Sequence, residues 1–104
     1  MIVRVQVDRD VSAYGAGLLA RGLHPGDRVA MLLGNTYEFV VAYYAAARAG
    51  LVAVPLNPAY TSAEVAVLLA DSGARVLLVQ PATRTVGEES AAALPGVAHH
   101  AWYM

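Results

Sequence analysis

Arg28-Val-Ala-Met-Leu-Leu33, Leu51-Val-Ala-Val54 and Arg75-Val-Leu-Leu-Val79 are three short apolar runs, and the two intervals between them read as helices. A run of four to six residues without polar alternation is what a strand buried on both faces shows. The first interval, Thr36 to Ala49, is apolar nearly all round: Phe39, Val40, Val41, Tyr43, Tyr44 and a series of Ala. Asn35 is placed to cap it, with Glu38 reaching back, and Gly50 closes it behind Arg48, a cation suited to the helix C-terminus. Pro55 cuts the second run short, because proline donates nothing to a ladder. In the second interval Thr61 and Glu64 form a capping box, Val65, Leu68 and Leu69 make an inner stripe, and Gly73 is the stop. Strand, helix, strand, helix, strand with short loops predicts an α/β fold: a partial parallel sheet with right-handed crossover helices.

Outward from this centre the signals weaken. Val11, Tyr14 and Leu18 fall at spacings of three and four, which predicts a helix over 10–21, with Gly22 as its stop and Pro25-Gly26 as a turn. Residues 2–7 are apolar enough to pair as a strand. Glu88 to Leu94 reads as a further helical turn or two, and Val97 to Tyr103 as a fourth strand. Both crossover helices are expected on one face of the sheet, leaving the other bare apart from the helix at 10–21. Parallel sheets rarely leave a face in water. More protein, from the same chain or a second one, is therefore expected to cover it.

Composition removes several function classes. Charged residues are 14% of the 104, against about 25% in an ordinary globular domain. A formal charge of -1 gives no electrostatic footprint for nucleic acid. There is no Cys, so thiolate chemistry and disulfides are out. The basic residues are all Arg, without a single Lys to serve as a mobile point charge on phosphates. No apolar run has the length of a signal core or a membrane span, and a cytoplasmic location is expected by default.

Several stretches, in order, resemble the early N-terminal region of the adenylate-forming (AMP-binding) synthetases, most of all the acyl-CoA synthetases. They are Gly-Asp-Arg-Val-Ala at 26–30, Arg-Ala-Gly at 48–50 leading to Val54-Pro55-Leu56-Asn57-Pro58, and Asp-Ser-Gly-Ala at 71–74. The resemblance covers about residues 8–80 and implies that 1–104 is an incomplete portion of the family's large N-terminal domain. Family members join a carboxylate to ATP as an acyl-adenylate, then pass the acyl group to coenzyme A. ATP, Mg and coenzyme A are thus implied for the full-length family, with none bound by this chain alone. The family's phosphate loop ends in a Lys-Gly pair and cannot be present in a chain without Lys. Its opening motif would fall near Val3 to Val7, where this chain reads Val-Arg-Val-Gln-Val. The resemblance therefore implies a scaffold segment, inactive by itself. The rival expectation is a free-standing α/β interaction or ligand-binding module without catalysis.

No residue is assigned a catalytic or metal-binding role. Gly15-Ala16-Gly17 followed by Gly22 lacks the spacing of a dinucleotide fingerprint and reads as small residues in a packed helix. His99 and His100 are adjacent on an expected strand, where neighbours point to opposite faces. Ser62 reads as part of a helix start, Glu88-Glu89 as a solvated pair at a helix N-terminus, and Tyr43 and Tyr44 as core packing. The resemblance implies a coenzyme A edge at two places. They are the loop at Asn57 to Ala59, where Asn57 offers amide hydrogen bonds, and the loop after residues 75–79, where Arg84 offers a cation to phosphate.

Overall fold

The chain folds, in a computed structural model that describes residues 2–92, 94 and 98–101, as alternating helices and strands. They are α1 (Ile2–Ala20), β1 (Arg28–Leu32), α2 (Tyr37–Arg48), β2 (Val52–Pro55), α3 (Ser62–Ser72) and β3 (Val76–Val79). A single 3-10 turn at Pro81–Thr83 then leads into α4 (Arg84–Ala92), and β4 (Ala98–Ala101) follows. The strands are all parallel, in the order β2-β1-β3-β4. β1 is the hinge of the register, with Val29 beside Ala53 on one flank and Val76 on the other.

Alternation along β1 and β3 feeds two cores. Val29, Met31, Val76 and Leu78 face Leu18 of α1 and Ala42 and Ala46 of α2. Ala30, Leu32, Leu77 and Val79 face Val65 and Leu69 of α3, with Val86 of α4 packed alongside. The expectation that both crossover helices share a face is thereby corrected. That placement needs every new strand to be added on the same side of the last. Here β2 lies on one side of β1 and β3 on the other. The second right-handed crossover therefore runs backwards and carries α3 to the opposite face. The bare sheet face that called for a covering partner does not exist over β1 and β3, whose side chains from Val29 to Leu32 and Val76 to Val79 are buried.

Local signals decide most boundaries. Thr61 Oγ1 accepts from Glu64 N–H at 3.2 Å while Glu64 Oε1 accepts from Thr61 N–H at 3.1 Å, the capping box expected for α3. Gly73 ends α3 at φ 66°, in the left-handed region. A Cβ there would lie 2.6 Å from Arg28 Nη2, because the Arg28 guanidinium packs on the helix end and its Nε donates to Ser72 O at 2.7 Å. At α2 the cap is Thr36, not Asn35: Thr36 Oγ1 accepts from Phe39 N–H, so Glu38 sits one place too early to close a box. Residues 2–7 are the first turns of α1 rather than a strand. Val7, four residues before Val11, packs with it against Val41 and Ala45 of α2, and that helical contact overrides the alternating pattern. α4 begins at Arg84, not Glu88, since Pro81 and Thr83 start the turn that it continues. Of the expected fourth strand, residues 98–101 are found; Val97, Trp102 and Tyr103 lie outside the described residues.

Candidate functional site

In parallel α/β sheets ligands bind beyond the carboxyl ends of the strands, where neighbouring connections leave toward opposite faces. Here that point lies between β1, whose chain leaves toward α2, and β3, whose chain leaves toward α4. The two departing loops are joined. Gly34 N–H donates to Gln80 Oε1 at 3.2 Å, and the buried Thr83 hydroxyl donates to Leu32 O at 2.7 Å while accepting from Gln80 N–H at 3.1 Å. A Cβ on Gly34 would meet Gln80 Nε2 at 3.2 Å, tighter than ordinary contact. Sequence reasoning missed Gln80 and Thr83. The signal was there: the residue before Pro81 is held extended, and a Thr three residues after Gln80 is spaced to cap it.

Asn57 and Arg84 fall on this same edge of the sheet. Asn57 follows β2, and its Oδ1 accepts from Ala59 N–H at 2.9 Å, which folds the loop and leaves the amide nitrogen for any further partner. Arg84 is the first residue of α4 rather than a loop residue, and its Nε donates to Glu88 Oε1 at 2.7 Å. Glu88 is thus mid-helix, one turn from its cation, and not at a helix N-terminus. β1 separates the strands that precede the two residues, so those strand axes are about 10 Å apart. Both residues carry side-chain N–H donors at this edge.

The remaining candidates are structural. Gly15 is buried in α1, where an added Cβ would stand 3.4 Å from Ala45 O, so it lets α1 approach α2. His24 lies in the turn before β1, its N–H donating to Asp27 Oδ2 at 2.8 Å. Tyr43 and Tyr44 are not core: they are 42% and 57% exposed, and Val41, Ala42, Ala45 and Ala46 fill the buried side of α2 instead. Tyr43 stacks on Phe39 and meets Tyr44 edge-on, with ring centres 6.0 and 5.7 Å apart. Burial raises the Tyr14 hydroxyl well above its ordinary range, against a lowering by Arg21. Two shallow depressions of about 240 Å³ flank α1. Both are smaller than a typical ligand cleft, and neither reaches the carboxyl edge.

Residues 5–101 match the family described as AMP-binding enzyme. The chain belongs to that family. Within it the relatives are acyl-CoA ligases. The chain is 37% identical over 76 residues to the acyl-CoA ligase SID4 of Ajellomyces capsulatus, covering 73% of this chain and 13% of that protein. It is 46% identical over 61 residues to the long-chain-fatty-acid–CoA ligase FadD13 of Mycobacterium tuberculosis, covering 59% and 12%. The fold of the chain superposes on the N-terminal domain of FACL13 from Mycobacterium tuberculosis with a TM-score of 0.83 at 32% identity, over 91% of this chain and 25% of that one. It also shares its fold with a benzoate CoA ligase from Burkholderia xenovorans, at a TM-score of 0.88 and 23% identity over 93% of this chain and 20% of that one. The chain spans about an eighth of the length of the curated relatives SID4 and FadD13.

Proposed function

We propose that the chain is the N-terminal scaffold segment of an acyl-CoA ligase, and that residues 1–104 form an incomplete domain without activity of their own. The observation that carries this is the family match over 5–101 together with a sheet that superposes on only a quarter of a ligase N-terminal domain. In this reading the complete ligase adenylates a carboxylate with ATP and Mg and transfers the acyl group to coenzyme A. A fatty acid is the proposed carboxylate, after the substrate in the name of FadD13. Asn57 and Arg84 contribute an outer edge to the coenzyme A site, with Arg84 meeting phosphate and Asn57 offering its amide nitrogen. The donor chemistry of this edge fits such a contact. It does not fit a triphosphate cradle, for the sequence has no Lys. Among the described residues no helix is long and apolar enough to cross a membrane, and a cytoplasmic setting is part of the same proposal.

The test is pyrophosphate release. The isolated chain, given ATP, Mg and a series of fatty acids, is expected to release none; release above a heat-treated control would overturn the scaffold reading. One observation favours the rival, a free-standing interaction module. Both faces of β1 and β3 are covered by helices of this chain, which is what independent folding needs. A defined small oligomer in light scattering, with no affinity for a ligase remainder, would move that reading ahead.

A further inference from the structure

The outer surfaces of the helices are not alike. α3 presents Glu64 and Asp71 to solvent, and α4 presents Arg84, Glu88 and Glu89. α2 carries two charges in twelve residues, Glu38 in its first turn and Arg48 in its last. Arg48 is turned toward α1, donating to Ser12 Oγ at 3.0 Å. Between them Tyr37, Val40 and Tyr44 follow one another at spacings of three and four, with Tyr43 alongside, and all four are exposed. A helix that is apolar on both its inner and its outer sides is the kind found inside a larger body. Tyrosine-rich surfaces free of charge are typical of interface centres.

We infer that the outward face of α2, centred on Val40 and Tyr44, is the surface on which the rest of an acyl-CoA ligase N-terminal domain docks. This rests on the scaffold reading above and names the partner of that scaffold. The occupant follows from proportion: the chain accounts for 25% of the isolated FACL13 N-terminal domain, so most of that domain is other polypeptide that needs a surface of this fold to join it. A second copy fits worse. The open edge beside α2 is β2, whose Val52 and Leu56 N–H groups already donate inward to Asp27 and Met31. By alternation only residues 53 and 55 face outward, and Pro55 has no N–H, so strand pairing with another copy has one donor to use. The uncharged stripe likewise offers no complementary charge to fix one copy against another.

The experiment co-expresses the full 104-residue chain with the FACL13 N-terminal domain lacking its matching quarter, and sizes the product by light scattering. An equimolar complex is expected. The double substitution V40E/Y44E should cut its yield about tenfold or more. V67E, at an equally exposed apolar residue on α3, should leave it intact. The melt of the V40E/Y44E chain by itself should match that of the parent, because both positions are on the surface. Three results would overturn the inference: no complex, a complex indifferent to V40E/Y44E, or a dimer of the chain alone that V40E/Y44E dissolves. A complex that V40E/Y44E dissolves, formed by a chain that releases pyrophosphate on its own from ATP and a fatty acid, supports the docking face while overturning the scaffold reading, so the two fail separately.

Discussion

The two helical layers bury β1 and β3 to the same degree and finish their outer surfaces in opposite ways. α3 and α4 end in solvent: a capping box at Thr61, a left-handed Gly73 locked by Arg28, and acids spread over the outside. α1 and α2 are closed only where they touch. Tyr37 Oη donates to Asp10 at 2.6 Å and Arg48 reaches Ser12 and Asp8, while tyrosines cover the rest of α2. The difference teaches that covering a sheet and completing a surface are separate tasks. This chain does the first on both sides and the second on one.

The equality of the two cores is the part of this comparison with the largest expected effect. Leu77 and Leu78 are adjacent, fully buried, and point into opposite layers. Leu77→Ala and Leu78→Ala should each cost about 2–5 kcal/mol in denaturant unfolding. A loss confined to one of them would show that the other layer is not packed on the sheet. Next comes Gly73→Ala, which forces a side chain into left-handed backbone and against Arg28; roughly 1–3 kcal/mol is expected. If an unchanged melting curve were found, the Arg28 lock on α3 would have to be abandoned. Thr61→Ala removes the capping box and should cost about 1 kcal/mol, with exchange of amides in the first turn of α3 rising selectively.

The smallest effect belongs to the clasp on the other layer. The hydrogen bond to Asp10 pushes the exposed Tyr37 hydroxyl from 10.0 up to about 12, so the folded chain holds that proton longer than the unfolded one. Its contribution is therefore complete below pH 10 and is lost as pH rises from there toward 12. In Tyr37→Phe that part of the alkaline fall in stability should vanish, as read from melts across the same window. A variant with the parent's alkaline profile would remove Tyr37 as its source.

What was legible in the sequence was local. The three apolar runs, Thr61 with Glu64, Gly73 and Pro55 each act through their own backbone, and each was read from neighbours a few residues away. The order of the strands was not legible. Whether β3 joins beside β2 or beside β1 depends on contacts between Val76 and Val29, which no local pattern reports. That one ambiguity produced the false bare face and hid where the unfinished surface lies. Residues 2–7 failed for a related reason, since Val7 chooses helix by packing on α2. Of the candidate edge, Asn57 and Arg84 came through family resemblance. The local turn of Gln80 and Thr83 had a sequence signal, but their bonds to Gly34 and Leu32 act across 46 and 51 residues and were visible only after folding.

The Gly34–Gln80 and Thr83–Leu32 bonds have a mechanical meaning. They sit where the chain departs toward opposite layers, so they extend the β1–β3 ladder into the loops as a tie bar. On one side is the start of α2, beneath the tyrosine face; on the other is the start of α4, where Arg84 stands. Three hydrogen bonds and no flexible linker lie between them. The start of α2 and the start of α4 are thereby pinned to one another at the same end of the sheet.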